Sequence, residues 1–374
     1  MTSHRVIFLR IEPTSYALAL LRALREIWPG EIDAQFITCS ATQPWEFDAQ
    51  TMGAKLLPAD PGKARRAIRE AILKDPRSAI IHTAGWGAPV CQAAISTAYK
   101  AKIPVVADHD TWTDAAKGLA GLAKRIILPR RLAKITHFAS GGQRQAAFVR
   151  RYGVAEAKVT PANMTVDVLK IRRYLTTNPR ARESFRRRFG LPKDDKVVLF
   201  LSRLVPGKGV EDLLSAWCEV AKWHKDTHLA IVGDGPLMPM VRDCGHERVH
   251  TLGRLSGDSV WEAYAAADIF VAPSHSEGWG LTINEAMAAG VPIVMTDAFG
   301  CIGDLAIADQ TVCIARAGDS HDLQKCIEMV LENDQYRNLL RNSASQLISK
   351  WTIEDQAQKI TEIWERVISE FPCK

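Results

Sequence analysis

Short apolar runs alternate with amphipathic stretches along almost the whole of this 374-residue chain, and that alternation restricts the fold more than any other feature. Runs that read as buried strands are RVIFLRI (5–11), AQFITC (34–39), AIIHTA (79–84), IPVVAD (103–108), ITHFAS (135–140) and KVTPAN (158–163). Helical patterns such as SYALALLRALREIW (15–28) and PVCQAAISTAYKAK (89–102) lie between them. A polar, Arg-rich stretch follows Val168 and reads as a charged connector. The alternation then restarts with KVVLFLSRL (196–204), HLAIVGD (228–234), RVHTLG (248–253), DIFVAPS (268–274), VPIVMTD (291–297) and TVCIA (311–315). Strands that alternate with helices predict parallel sheets covered on both faces. The expected fold class is α/β: two doubly wound, Rossmann-like domains facing a central cleft. WTIEDQAQKITEIWERVISEF (351–371) closes the chain as a helix with an apolar stripe.

A hydrophobic content of 47% with 24% charged residues fits a soluble globular protein. Arg10 interrupts the first apolar run and Glu12 and Pro13 follow it, so the N-terminus does not read as a secretory signal. No stretch reaches the roughly 18 uninterrupted apolar residues of a spanning helix. The eight cysteines are scattered without metal-site spacing and read as reduced thiols, which places the chain in the cytoplasm.

The net charge of +6 is unevenly spread. Residues 115–155 hold nine Lys/Arg (Lys117, Lys124, Arg125, Arg130, Arg131, Lys134, Arg144, Arg150, Arg151) and no Asp or Glu. Leu119, Leu122, Ile126, Ile127 and Leu128 are interleaved with them, the makeup of an interfacial segment. The stretch 117–151 is therefore a candidate surface for an anionic membrane, with a solvated helix face as the plainer alternative. Nucleic acid is not expected, because no reading motif is present and aromatics do not alternate with the cations.

Ligands of open α/β sheets gather beyond the carboxyl ends of strands, so the residues after each apolar run matter most. Arg203 and Lys208 lie five positions apart in a Gly/Pro turn opening a helix, where two cations beside free backbone N–H groups suit a diphosphate, with a solvated turn of ordinary surface charges as the plainer alternative. IVGDGPL (231–237) is a strand and turn with little specificity alone. In SEGWGLTINEAMAAGVPIV (276–294), Gly278 and Gly280 permit close backbone approach before a helix that ends at Gly290. Glu277 and Glu285 would stand roughly 10–12 Å apart at helical rise, wider than the ~5–9.5 Å of hydrolase carboxyl pairs. Two acceptors so separated suit two different sugar rings, with ordinary charges at a helix N-terminus as the plainer alternative.

In this order and spacing, RLVPGKG, IVGDGPL, ADIFVAPSHSEGWGLTINEAMAAGVPIV and the final helix resemble the retaining GT-B glycosyltransferases of family 4. The resemblance covers nearly all of 196–370 and implies a GT-B fold with the C-terminal helix crossing back to the N-domain. The implied domains are 1–168 with about 355–374 on the acceptor side, and 169–354 binding the sugar nucleotide. Glu277 and Glu285 match the family's E-x7-E signature: Glu277 would hold hydroxyls of the donor sugar, Glu285 the ribose. Arg203 and Lys208 match the pair gripping the diphosphate, with the backbone of Gly278, Trp279, Gly280 and Leu281 adding to that grip. PVVADHDTW (104–112) resembles the strand that delivers a His toward the donor sugar, here His109. Family members often have a Gly-Gly turn after the first strand; this chain reads RIEPTSYALAL, so acceptor contacts of that loop are not carried over.

The implied activity is that of a glycosyltransferase with a UDP- or GDP-sugar as co-substrate and a glycan or lipid-linked acceptor, working at the inner face of the membrane. Asp108 and Asp110 flank His109, which the resemblance assigns to the donor sugar, and no acidic D-x-D pair follows a strand in a way that suggests a bound divalent ion, so no metal site is expected. The alternatives are a sugar-nucleotide epimerase or a polysaccharide phosphorylase on the same fold, and a non-catalytic sugar-nucleotide-binding protein. Phosphorylases carry a pyridoxal-binding lysine motif that is not found here.

Overall fold

A computed structural model describes residues 4–38, 52–76, 79–114 and 118–371. It resolves into two compact units, Met1–Thr165 with Ile353–Lys374, and Val166–Thr352. Lys117, in the basic window, lies outside the described residues.

The first unit runs β1 (Arg5–Arg10), α1 (Ser15–Ile27), β2 (Ile32–Phe36), β3 (Ala54–Leu56), α2 (Pro61–Leu73), β4 (Ala79–Ala84), α3 (Pro89–Ala101), β5 (Val105–His109), α4 (Gly118–Leu132), β6 (His137–Ser140), α5 (Gln143–Arg151) and β7 (Val159–Pro161). Its strands form a parallel sheet in the order β3-β2-β1-β4-β5-β6-β7. β1 shows why an unbroken apolar run makes such a strand. Ile7 and Leu9 face a core built with α2 and α3, while Val6 and Phe8 face α1 on the other side. β3 had no counterpart among the expected strands: three residues with two exposed carry too little apolar signal.

The chain returns to this unit as α14 (Ile353–Glu370), in agreement with the expected crossing helix. Ile353, Ala357, Ile360, Ile363, Trp364 and Val367 make one buried stripe at helical spacing. Trp364 meets Trp28 edge-on at 5.2 Å and donates its indole N–H to His82 Nδ1 at 3.1 Å.

The second unit comprises α6 (Val168–Thr177), α7 (Ala181–Arg188), β8 (Lys196–Leu201), α8 (Val210–Trp223), β9 (Thr227–Val232), α9 (Met238–Asp243), β10 (Val249–Gly253), α10 (Asp258–Ala266), β11 (Ile269–Ala272), α11 (Leu281–Ala289), β12 (Ile293–Thr296), β13 (Cys313–Ala315), α12 (Ser320–Glu332) and α13 (Asp334–Ile348). Its parallel sheet has the order β10-β9-β8-β11-β12-β13, so the winding reverses between β8 and β11. The Arg-rich stretch, expected as a charged connector, forms α6 and α7 of this unit. Arg186 is 2% exposed and donates to Asp268 and to the carbonyls of Ala266, Pro192, Lys193 and Asp195. A cation so buried is tolerated because its donors are saturated.

Candidate functional site

In the second unit, the loops after β8 and β11 leave the sheet side by side at the point where the winding reverses, the usual ligand position in such sheets. Lys208, from the first loop, forms an ion pair with Glu277, from the second. The backbone ties the loops together as well, since His275 N–H donates to Gly207 O at 3.0 Å. The GDGP turn supports the first loop from behind, with Leu204 N–H donating to Asp234 O at 2.9 Å.

Both loops open helices whose N-termini have no side-chain cap. Gly209 heads α8 at φ 69°, and a Cβ there would stand 2.0 Å from the carbonyl oxygen of Pro273. Gly280 heads α11 at φ 102°, where a Cβ would strike the Phe299 ring at 2.4 Å. Only glycine permits these two approaches. The resulting helix starts add partial positive charge to that of the Lys/Arg pair. Arg203 is exposed and makes no ion pair among the described residues, so its guanidinium is available to an anion.

Glu277 is fixed through its own backbone: its N–H donates to Ala298 O at 2.9 Å and its carbonyl accepts from Gly300 at 3.2 Å. The indole of Trp279 is turned into the core, where it donates to Asn284 at 2.9 Å and stacks on Trp351 at 6.1 Å. The Trp279 ring is therefore buried rather than presented at the loop surface.

Glu285 sits in the second turn of α11 and does not join the Lys208–Glu277 pair. It accepts a hydrogen bond from Tyr264 of α10 at 3.0 Å. Burial pushes its carboxyl up to about 7, and the Tyr264 hydroxyl partly offsets that rise. Sequence reasoning missed Tyr264, an aromatic in an apolar helix, whose partner arrives from 21 positions away.

In the first unit, His109 ends β5. Its Nε2 is 2.9 Å from Ser140 Oγ, and its ring packs on Trp86 at 4.9 Å. Burial lowers its pKa to about 4, against the pull of Asp108, so the ring is neutral at ordinary pH. Asp108 is held in an ion pair with Arg10 at the end of β1. Beneath them, His82 is wholly buried and lowered to about 3, again by burial.

The basic window is less uniform in space than in sequence, because the acids flanking it fold back. Asp114 pairs with Lys124 at 2.7 Å and Arg151 at 3.6 Å, and Glu156 pairs with Arg150 at 2.6 Å. On α4, Leu122, Ile126 and Ile127 are exposed together with Arg125, Arg130 and Arg131. Leu128 and Leu132 turn inward. Among the described residues, no helix is long and apolar enough to cross a membrane, and no group of His, Cys, Asp or Glu is arranged to hold a metal ion.

The family description "Glycosyl transferases group 1" matches residues 181–347, which contain Arg203, Lys208, Glu277 and Glu285. Residues 181–347 form a glycosyl transferases group 1 domain. Among curated proteins similar to the chain, an uncharacterized glycosyltransferase of Methanocaldococcus jannaschii is 35% identical over 31% of this chain and 31% of its own. The GDP-mannose-dependent monoacylated alpha-(1-6)-phosphatidylinositol monomannoside mannosyltransferase of Corynebacterium glutamicum is 28% identical over 52% of this chain and 53% of its own. The chain thus spans about a third to a half of the length of these relatives. Likeness to solved structures extends further. Anabaena HepE in complex with UDP-glucose aligns over 97% of this chain and 100% of its own, at TM-score 0.78 and 17% identity. WaaG, a glycosyltransferase involved in lipopolysaccharide biosynthesis, aligns over 96% and 98%, at TM-score 0.70 and 17% identity. Beyond the group 1 domain, the likeness establishes the fold: GT-B, with two Rossmann-like parallel-sheet units.

Proposed function

We propose that this protein is a retaining glycosyltransferase that moves a sugar from a UDP- or GDP-sugar to a hydroxyl of a lipid-linked or polysaccharide precursor glycan. The observation that carries the reading is the Lys208–Glu277 pair at the reversal of the sheet, beside two helix N-termini without side-chain caps and Arg203, which makes no ion pair among the described residues. A dianionic diphosphate fits that cationic frame, and a carboxylate beside it fits sugar hydroxyls. The bond between the anomeric carbon and the diphosphate oxygen breaks, and its electron pair leaves with the diphosphate. Arg203, Lys208 and the N-terminus of α11 stabilise the charge that develops there. The acceptor oxygen bonds to the anomeric carbon on the face the diphosphate leaves, and its proton passes to the departing phosphate. His109, neutral and anchored by Ser140, is assigned to the transferred sugar, and Glu285 to the ribose. No metal enters the scheme.

The names of similar proteins support both donor bases: UDP-glucose is bound in HepE, and the C. glutamicum relative is named GDP-mannose-dependent. A thermal-shift panel of UDP, GDP and their sugars tests the reading, since a ligand of the native state raises the melting temperature. Stabilisation by one nucleoside diphosphate series is expected, and donor turnover should rise when acceptor extracts are added. Release of an epimerised sugar instead would favour the epimerase, and binding without turnover the non-catalytic protein. An inverted anomer in the product would remove the retaining course.

The same reading places the first unit against an anionic bilayer at the inner face of the membrane. On α4 three arginines share the exposed surface with three aliphatic side chains, the arrangement that adds shallow insertion to charge attraction. Each cation near such a surface contributes about 1 kcal/mol. Arg125, Arg130 and Arg131 carry this better than Lys124, which is already paired with Asp114. Co-sedimentation with anionic vesicles should be lost when those three arginines become Gln. Binding that ignores lipid charge or survives the replacement would point to a soluble acceptor.

A further inference from the structure

We infer that Tyr264 is a positioning residue for the nucleoside end of the donor, acting through Glu285 rather than by touching the ligand. Tyr264 itself is fully buried, so no ligand reaches it. Its ring stands edge-on to Phe270 of β11 at 5.3 Å, which fixes the direction of the hydroxyl. That hydroxyl lies 3.0 Å from Glu285 Oε2 and 3.4 Å from the carbonyl oxygen of Thr282. A tyrosine has one proton to donate, and the nearer carboxylate is the stronger acceptor. Oε2 is thereby committed to the protein. Oε1 has no hydrogen bond among the described residues and faces no competing partner for a donated hydroxyl.

The arrangement resolves a conflict in the site. A carboxylate that receives the vicinal hydroxyls of a ribose has to be ionised, yet enclosure among protein atoms drives Glu285 toward its neutral form. A hydrogen bond to the charged form is the available counterweight, and Tyr264 provides it. Among the described residues no other titratable group does so. α6, α10 and α13 pack around α11. On them Glu262 is engaged with Arg188 and Tyr174, Arg172 with Ser345, Arg337 with Asp334 and Arg341 with Asn338. Lys170, Arg173 and Asp258 are exposed.

The inference rests on the assignment of Glu285 to the ribose, and the experiment separates the two. Calorimetry with UDP and with GDP is run on wild type, Tyr264→Phe and Glu285→Gln between about pH 6 and 9. The ratio of wild-type to Glu285→Gln affinity cancels the titration of the diphosphate itself. That ratio should be about tenfold or more at pH 8.5, the scale of one charge-assisted hydrogen bond, and should fall on acidification. In Tyr264→Phe the fall should begin about one pH unit higher, leaving affinity within about twofold of wild type at pH 8.5 but several-fold weaker at pH 7. A Tyr264→Phe profile that superimposes on wild type, while Glu285→Gln binds weakly, overturns the inference and leaves the ribose assignment standing. Equal affinity of Glu285→Gln and wild type, or no binding of either nucleotide by wild type, overturns the assignment and the inference with it. Should Tyr264→Phe fail to fold, Tyr264→Met, which also lacks the hydroxyl, is read by the same criterion, and a profile that superimposes on wild type overturns the inference.

Discussion

At the residue scale the site is a problem of charge. Lys208 and Glu277 neutralise one another, whereas Arg203 has no ion-pair partner among the described residues. A departing diphosphate would draw on both cations. Replacing Arg203 or Lys208 by Ala should therefore cut kcat by about 10²-fold or more, because developing charge loses a preorganised partner. Steady-state kinetics on folded variants decides the matter, and unchanged turnover in either would remove diphosphate stabilisation from the account. The two variants should differ in one respect: Lys208→Ala also deprives Glu277 of its ion pair, so it should raise KM for the sugar-bearing donor more than Arg203→Ala does. Most of this set was legible from sequence, since Arg203, Lys208 and Glu277 lie at or just beyond the ends of apolar runs and Glu285 follows Glu277 after a glycine-bearing helix start, in the order and spacing that carry the family resemblance. Tyr264 was not. Its partner is brought by the packing of α10 against α11, and no local pattern marks an aromatic whose hydroxyl meets a carboxylate.

At the scale of elements, reading worked where a strand is buried on both faces and failed where tertiary contacts override composition. β1, β4, β8 and β11 are unbroken apolar runs and fell close to their expected places. β3 is short and half-exposed, and the Arg-rich stretch reads as a charged connector until Asp268 and a ring of carbonyls arrive to bind Arg186. The basic window misled in the same way, because Asp114 and Glu156 lie just beyond its ends yet pair with three of its cations. Loop geometry is the strictest constraint at this level. Gly209→Ala would set a methyl group against the Pro273 carbonyl in a left-handed conformation. Such strain costs of order 1–3 kcal/mol, and the collision adds to it. Chemical denaturation should show a loss of at least about 2 kcal/mol, and nucleoside diphosphate binding should weaken in parallel. A variant as stable as wild type would show that the β8 and β11 loops are not held in contact by this glycine.

At the scale of the whole molecule, the two units carry buried titratable groups of opposite sign, and they should respond to acid differently. In the first unit, burial holds His82 at about 3 and both His109 and His137 at about 4, all below the ordinary histidine value. Their unfolded forms take up protons as pH falls through about 6.5, while the folded forms do not. Stability from these groups is thus complete above pH 6.5 and is lost on acidification, by up to about 2 kcal/mol per histidine at pH 5. Asp33 and Asp114, held below the carboxylate range despite burial by Lys55 and Arg5 and by Lys124, act in the same direction at lower pH. In the second unit, Glu285 has the reverse sign. Its folded value of about 7 lies above that of an unfolded glutamate, so the folded state takes up the proton first and gains stability as pH falls from 7 toward 4.5. His250, lowered by burial and by His228, opposes this in part. Hydrogen exchange at pH 7.5 and pH 5, corrected for intrinsic rates, reads the two units separately. Opening free energies of β4 and β5 amides should fall by several kcal/mol on acidification, while those of β8 and β11 should fall by much less or rise. Glu285→Gln should abolish whatever relative gain the second unit shows. A parallel decline in both units, or a first unit indifferent to pH, would mean that the buried histidines are not held neutral as their surroundings require.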